Sequence, residues 1–186
     1  MKTVLEAALE VQRKLTEGKE RFCFIGAIAL QRWGEPRATR DVDVTVLCPF
    51  GDEPRAIDRM LVFFAGRIPD AREFALRNRV LLLKSEAGIP IDVALGSLPY
   101  EQRCVGRASD WEITPGGALR TCSAEDLVVL KAFASRTRDW ADIEALLARR
   151  GASLDWNLVL EELAPLAAAR DMPEILDRLR AMKSAL

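Results

Sequence analysis

Hydrophobic residues recur with two different periods along the N-terminal part of the chain. Residues 3–17 carry apolar side chains at helical spacing, which predicts a helix that Gly18 ends as a left-handed cap. The stretch RFCFIG predicts a short strand that stops at Gly26, and AIALQRW predicts a short helix after it. The stretch DVDVTVL, residues 41–47, alternates strictly and predicts a strand whose valines share one face.

The following segments alternate between helical and strand patterns. GDEPRAIDRMLVFFAGR predicts a helix with Asp52 as its N-cap and Pro54 in its first turn. VLLLK and IPIDVAL flank the turn sequence SEAG and predict a β-hairpin, and ALRTC predicts an edge strand. Together these elements predict a mixed sheet with helices.

From Ser123 onward the pattern is helical. Residues 123–151 open with a Ser-x-x-Asp capping box and predict one long helix that ends at Gly151, with two more helices after it. We therefore expect an α+β fold in which a mixed sheet flanked by helices occupies residues 1–122. A C-terminal helical section is expected in residues 123–186.

Composition and charge narrow the protein class. The 186 residues carry a formal net charge of −1, so no overall field points to nucleic acid. No apolar run approaches the ~20 residues that span a bilayer, and the acidic N-terminal helix is unlike a signal peptide. We expect a cytoplasmic protein with no membrane association. The cysteines form no CxxC pair and are expected to be buried free thiols: Cys23, Cys48, Cys104 and Cys122.

The chain contains no histidine. This excludes Ser-His-Asp and Cys-His nucleophile systems, histidine-ligated zinc sites and histidine general bases. An enzyme of this composition has to use carboxylates, lysine, arginine, backbone amides or a hard metal ion on oxygen ligands.

Three aspartates interrupt strands that are otherwise apolar. Asp41 and Asp43 are two residues apart, so both side chains leave the same face of their strand. Asp92 lies between Ile91 and Val93 and points away from the apolar face of its own strand. If the two strands are neighbours, three carboxylates converge on one patch, which suits Mg²⁺ and in-line attack on phosphorus. The alternative is a solvated strand face.

The context of these aspartates resembles a known family. GAIALQRWGEPRATRDVD is similar to motif one of the polymerase-β-like nucleotidyltransferases, Gly-[Ser/Gly], about ten or more residues, then Asp-x-[Asp/Glu]. Its Arg-x-Thr-x-Asp-x-Asp form resembles most the AbiEii-type branch, which includes toxins of toxin–antitoxin pairs. The matching residues are Gly26, Ala27, Arg37, Thr39, Asp41 and Asp43, then Asp92 as the third carboxylate, and Lys131, Arg136 and Asp139 in a later helical motif.

The resemblance implies a catalytic core in residues 1–122 that moves a nucleoside monophosphate from an NTP to an acceptor hydroxyl of RNA or protein. It implies two Mg²⁺ ions on Asp41, Asp43 and Asp92, and an antitoxin protein as a possible partner. The nucleotide-binding residues that it implies, with Arg40 added from the same loop, are Gly26, Ala27, Arg37, Thr39, Arg40, Lys131, Arg136 and Asp139.

Each of these residue types suits its role in nucleotide binding, and several have a simpler structural explanation. Gly26 lets backbone amides approach a phosphate or simply ends a strand. Arg37 and Arg40 pair with phosphate oxygens or lie in a solvated loop. Lys131 is placed in an apolar stretch and suits triphosphate binding, whereas Arg138 and Asp142 are expected to form an i,i+4 ion pair.

Two other functions compete with nucleotidyl transfer. A metal-dependent nuclease also uses clustered acids, but this hairpin lacks the Asp/Glu-x-Lys triplet that such enzymes commonly carry. A catalytically weak or inactive nucleotidyltransferase fold that acts as a binding protein is the second alternative. It rests on Ala27, which stands where the family often has Ser or Gly and provides neither a hydroxyl nor extra backbone freedom.

Overall fold

The computed structural model describes residues 3–185. The helices are α1 Val4–Glu17, α2 Gly26–Trp33, α3 Glu53–Phe63, α4 Ala71–Asn78, α5 Pro99–Arg107, α6 Ala124–Ala134, α7 Thr137–Arg150, α8 Trp156–Ala169 and α9 Glu174–Ser184. The strands are β1 Phe22–Phe24, β2 Val42–Leu47, β3 Ala65–Gly66, β4 Val80–Lys84, β5 Pro90–Gly96, β6 Ser109–Thr114 and β7 Gly117–Thr121.

The chain divides into two compact units. The first unit comprises the chain up to Ile28 together with Ala38–Cys122, and the second comprises Ala29–Arg37 together with Ser123 onward. The predicted boundary at residue 122 therefore coincides with a change of unit, but the segment Ala29–Arg37 belongs with the C-terminal helices. The assignment of catalysis to residues 1–122 stays a prediction.

The first unit is built on a mixed sheet with the strand order β3-β4-β5-β2-β1-β7-β6. The central strand β2 pairs in parallel with β5 and antiparallel with β1. As the alternation predicted, Val42, Val44 and Val46 are fully buried and belong to the hydrophobic core. The predicted hairpin of β4 and β5 is also present. The α+β class is confirmed.

Some elements differ from the sequence prediction. The strand β7 is not at the edge of the sheet, because β6 pairs with it on the outside. The helices α4 and α5 and the strand β6 were not predicted from the pattern. Many of their side chains are exposed, so apolar residues define their buried faces weakly.

Two predicted helix caps are wrong in detail. Gly18 occupies the C-cap of α1 with φ −72°, a right-handed conformation, and the left-handed residue is Lys19 at φ 54°. Asp52 occupies the N-cap of α3, but its side chain makes no capping hydrogen bond. The sequence located these two ends correctly and misjudged their local geometry.

The predicted long helix of residues 123–151 is two helices, α6 and α7. Ser135 ends α6 in the left-handed region with φ 55°, and Arg136 is extended. The indole N–H of Trp140 donates to Ser135 Oγ at 3.1 Å, and the backbone N–H of Arg136 donates to Asp139 Oδ2 at 3.3 Å. These hydrogen bonds stabilise the break, which the continuous helical pattern of the sequence does not reveal.

The cysteines are as expected: they are buried thiols outside any disulfide, namely Cys23, Cys48, Cys104 and Cys122. Within residues 3–185, no helix has both the length and the apolar character to cross a bilayer.

Candidate active site

Asp43 and Asp92 lie side by side on the two parallel central strands. Their Cα atoms are register partners in the β2–β5 ladder, and both residues are half-buried. The neighbours of each aspartate along its strand are buried in the core, so the carboxylates leave the opposite face of the sheet. The condition that the two strands are neighbours is therefore met, and Asp43 and Asp92 share one face of the sheet.

Asp41 precedes β2 and is held by the loop before it. Thr39 Oγ1 donates to Asp41 Oδ1 at 2.7 Å. This contact gives a physical reason for the Thr-x-Asp spacing, because the threonine hydroxyl orients the first carboxylate of the motif. Arg40, between them, is exposed to solvent.

Gly26 begins α2 directly beside Asp43. Its φ is +57°, and a Cβ at this position would lie 2.1 Å from Asp43 Oδ2. The preceding residue Ile25 donates its N–H to the carbonyl oxygen of Asp43 at 3.0 Å. The glycine is thus required by both backbone conformation and space. Ala27 follows it in the first turn and is buried.

Arg67 contacts Asp92 and was not found from the sequence. Its Nη2 atom lies 2.8 Å from Asp92 Oδ1, with both side chains about one-third exposed at 30% and 34%. The same Oδ1 atom is shielded from solvent and has no partner with hydrogen-bond geometry. The contact is therefore an ion pair by distance that lacks hydrogen-bond geometry. No motif signal marks Arg67; only the pairing of β3 with β4 brings it here.

The donor atoms of these residues are of the kind that hold a hard cation. Within residues 3–185, no three Asp, Glu, Cys or His side chains are placed together so that they could hold an ion as they stand. The chemistry of the donors nevertheless suits Mg²⁺, since they are carboxylate oxygens and Asp92 Oδ1 is shielded without a hydrogen bond. The ligand roles of Asp41, Asp43 and Asp92 stay predictions.

The second unit contains a buried ion network around Lys131. The Lys131 ammonium lies 2.6 Å from Asp142 Oδ2 and 3.4 Å from Asp139 Oδ1, and all three side chains are less than a tenth exposed. Arg37 donates to Asp142 with both Nε and Nη2 at 3.0 Å. Arg136 donates from Nε to Asp139 Oδ2 at 2.6 Å.

The network keeps both aspartates ionised. For Asp142, burial is the largest influence and by itself raises the pKa, but hydrogen bonds and charges from Arg37 and Lys131 together lower it below its usual value. For Asp139, burial likewise raises the pKa, and Arg136 and Lys131 outweigh it and lower the pKa. Buried carboxylates of this kind are stabilising only while their cationic partners remain.

The prediction of an ion pair between Arg138 and Asp142 is wrong. Arg138 is exposed, whereas Asp142 is buried and paired with Lys131 and Arg37. Both residues lie on α7, but Asp142 faces the interior, where it pairs with Lys131 of α6 and with Arg37 from the segment between α2 and β2. The nucleotide-binding roles of Lys131, Arg37, Arg136 and Asp139 stay predictions.

The comparisons with known proteins agree with the motif. Residues 8–185 match the family described as nucleotidyl transferase AbiEii toxin, type IV toxin–antitoxin system. No curated protein matches the chain in sequence.

Solved structures share the fold at low sequence identity. An antigenic nucleotidyltransferase-like protein from Paracoccidioides brasiliensis has a TM-score of 0.56 and 15% identity over 94% of this chain and 92% of its own. The antibiotic-resistance factor ANT(2'')-Ia in solution has a TM-score of 0.57 and 14% identity over 95% and 96% of the two chains. A crystal structure of ANT(2'')-Ia with adenylyl-2''-tobramycin has a TM-score of 0.58 and 14% identity over 89% and 98%. The fold is nucleotidyltransferase-like.

Proposed function

We propose that this chain, which belongs to the AbiEii nucleotidyltransferase toxin family over residues 8–185, moves a nucleoside monophosphate from an NTP to an acceptor hydroxyl. The acceptor oxygen forms a bond to the α-phosphorus, the bond from that phosphorus to the bridging oxygen breaks, and pyrophosphate leaves. The observation that carries the proposal is the pairing of Asp43 with Asp92 on adjacent strands beside Gly26.

The aspartates have distinct proposed roles. Asp41, Asp43 and Asp92 would hold Mg²⁺, with two ions as the expected number. Bound Mg²⁺ supplies neutralisation of the charge on the phosphates. Asp92 is also the proposed acceptor of the proton from the attacking hydroxyl, because it lies beside Asp43 on the adjacent strand. Thr39 orients Asp41 through its hydroxyl.

The nucleotide phosphates are proposed to bind around the start of α2. Gly26 and Ala27 occupy its first turn, where backbone N–H groups without helical partners favour an anion. Thr39 and the exposed Arg40 belong to the loop that leads into β2. Arginine in such a loop pairs well with phosphate oxygens.

Phosphate binding is also proposed for residues of the second unit by itself. Arg136 has 77% of its side chain exposed and can contact phosphate while it keeps Asp139. Lys131 and Arg37 already pair with carboxylates, so a phosphate bound by them would share these cations with Asp139 and Asp142.

The family suggests the biological setting. We propose that the chain acts in the cytoplasm as the toxin of a toxin–antitoxin pair, with an antitoxin protein as its partner. The acceptor is proposed to be RNA or a protein side chain.

The experiment is calorimetric titration of the parent chain and Asp43→Asn with α,β-methylene NTP analogues in the presence and absence of Mg²⁺. We expect the parent to bind only with Mg²⁺ and Asp43→Asn to lose at least about tenfold in affinity, because a carboxylate ligand is removed. Asp110→Asn is the matched control, since Asp110 is an exposed acid on β6 that pairs with Arg120. Equal binding by both variants, or no binding by the parent, would contradict the proposal.

Catalysis is measured separately as pyrophosphate released from NTP in the presence of a total RNA and protein extract. Release that depends on Asp43 supports the transferase. Mg²⁺-dependent binding without any release would instead support the inactive, nucleotide-binding alternative.

A further inference from the structure

The backbone of Arg67 is hydrogen-bonded to the residue of β4 that pairs with Asp92. Its backbone N–H donates to the carbonyl of Leu82 at 2.9 Å, and Leu82 is the register partner of Asp92 across the β4–β5 ladder. Register partners in a sheet present their side chains on the same face. The backbone of Arg67 is therefore fixed beside the face that carries Asp92.

The main polar contact of the Arg67 guanidinium is with the Asp92 carboxylate. Within the part of the chain that the structure describes, it makes the single ion pair with Asp92 at 2.8 Å and no side-chain hydrogen bond. Arg72, by comparison, donates two hydrogen bonds to Asp58, at 2.7 and 3.2 Å. Arg79 donates to the carbonyl oxygens of Leu95 and Cys48. Arginines that fix the structure of this unit thus make several directed bonds, whereas Arg67 does not.

A divalent cation that binds Asp92 has to compete with this guanidinium. Both would neutralise the same carboxylate, and Oδ1, the oxygen near Arg67, is the one that lacks a hydrogen bond. An ion pair that is one-third exposed contributes little to stability, so its loss costs little. The displaced guanidinium stays within reach of the cation's other ligands because its backbone is anchored to β4.

We propose that Arg67 is a tethered counter-ion that pairs with Asp92 until the cation and the nucleotide arrive, and then pairs with the nucleotide phosphates. This inference rests on the proposed function, because it assumes that Asp92 is a cation ligand. Mg²⁺ in proteins usually keeps substrate phosphates among its ligands, which brings phosphate oxygens to the place that Arg67 reaches. A guanidinium binds such oxygens with paired N–H groups, so Arg67 is a positioning residue for the triphosphate.

The inference predicts changes of opposite sign for cation and nucleotide. Arg67→Ala removes the competitor, so Mn²⁺ alone, followed by the electron paramagnetic resonance of the free ion, is expected to bind roughly fivefold more tightly than to the parent. The same variant lacks the phosphate contact, so an α,β-methylene NTP analogue with Mn²⁺ is expected to bind roughly fivefold more weakly. A residue with only a structural role would not move the two affinities apart.

Three control variants separate the effects of net charge, of the planar guanidinium geometry and of misfolding. Arg72→Ala changes net charge by the same amount in the same unit and is expected to leave both affinities as in the parent. Arg67→Lys keeps the charge but loses the planar fork, so Mn²⁺ affinity is expected near the parent value and nucleotide affinity between parent and Arg67→Ala. Arg67→Met keeps the apolar stem and repeats the alanine test if Arg67→Ala unfolds.

The outcomes distinguish this inference from the proposed function. A parent that binds Mn²⁺ and the analogue, with unchanged or weaker Mn²⁺ binding in both Arg67→Ala and Arg67→Met, would overturn the counter-ion role alone. Tighter Mn²⁺ binding with unchanged nucleotide binding would overturn the transfer to phosphate. A parent that binds neither probe would overturn the proposed function together with this inference.

Discussion

A methyl group on Gly26 would lie 2.1 Å from Oδ2 of Asp43, a distance that two non-bonded atoms cannot adopt. The glycine that begins α2 and the second aspartate of the Asp-x-Asp pair are therefore in direct contact, although they are 17 positions apart in the sequence. The hydrogen bond from Ile25 N–H to the Asp43 carbonyl ties the two segments together next to this contact.

Gly26→Ala is expected to disturb the site and the fold together. The substitution forces φ +57° on an L-residue and drives its methyl group into the Asp43 carboxylate. Left-handed backbone costs ~1–2 kcal/mol and a forced side-chain shift adds ~1 kcal/mol or more, so urea unfolding should show a loss of about 2 kcal/mol at least. Mg²⁺-dependent nucleotide binding, measured by calorimetry, should be lost because Asp43 is displaced.

Gly88→Ala is the matched control for this glycine. Gly88 has φ +79° in the turn between β4 and β5, but a Cβ there would have open space around it. Its replacement carries the conformational cost of ~1 kcal/mol without a clash and should leave nucleotide binding unchanged. Equal effects of the two alanine variants on binding would show that the contact with Asp43 does not matter.

Sequence reasoning succeeded where one feature of the chain decides the structure. The strict alternation in β2 correctly predicted the face of the sheet on which the Asp43 side chain lies. The hairpin pattern correctly predicted that Asp92 is part of a strand. The register of Asp92 with Asp43 needed the structure, because nothing in either segment states that β5 pairs in parallel with β2.

Side-chain contacts between residues of different helices and strands could not be predicted from the sequence. Arg67 reaches Asp92 only because β3 pairs with β4, and β3 is two residues long. The sequence marked Lys131 as unusual in an apolar stretch, but its partners Asp139 and Asp142 come from the next helix. Asp142 is also paired with Arg37, which lies far from it in the sequence. The break at Ser135 depends on side-chain hydrogen bonds that helical periodicity does not encode.

Asp142→Asn tests the stabilising role of the buried network in the second unit. The substitution removes the charge that neutralises Lys131 and Arg37, while Lys131 keeps Asp139. Breaking a buried ion pair costs ~3–5 kcal/mol, and with one partner retained we expect about 2–3 kcal/mol in urea unfolding. Asp177→Asn, which changes an exposed pair with Arg180, should leave the free energy of unfolding almost unchanged. Similar losses for both variants would contradict a special role of the network.

The same network predicts how stability depends on pH. The pKa values of Asp139 and Asp142 are lowered in the folded chain, so the unfolded chain binds more protons near and below its ordinary aspartate pKa of ~3.9. Their contribution is therefore complete above about pH 4 and is lost as pH falls through the lower folded-state values. Urea unfolding of parent and Asp142→Asn from about pH 6 to 2 should show the difference between them shrinking on acidification. A difference that stays constant over this range would mean that Asp142 is not ionised in the fold.

RNA as the proposed acceptor predicts salt-sensitive binding through exposed arginines. Arg40 in the first unit and Arg138 in the second are exposed. Arg37 is unsuitable for the test, because it pairs with Asp142 and its replacement would also destabilise the fold. A chain of net charge −1 has to rely on local positive charge of this kind to hold a polyanion.

Titration of single-stranded RNA at several salt concentrations measures this reliance directly. Each arginine that neutralises a phosphate adds about 0.7 to the magnitude of the log–log slope, so Arg40→Ala and Arg138→Ala should each weaken binding and flatten the slope by about that amount. Arg180→Ala, which removes an exposed arginine already paired with Asp177, should match the parent in both affinity and slope. Binding that is absent at low salt, or indifferent to salt, would favour a protein acceptor, because phosphate contacts supply most of the sequence-independent affinity for RNA.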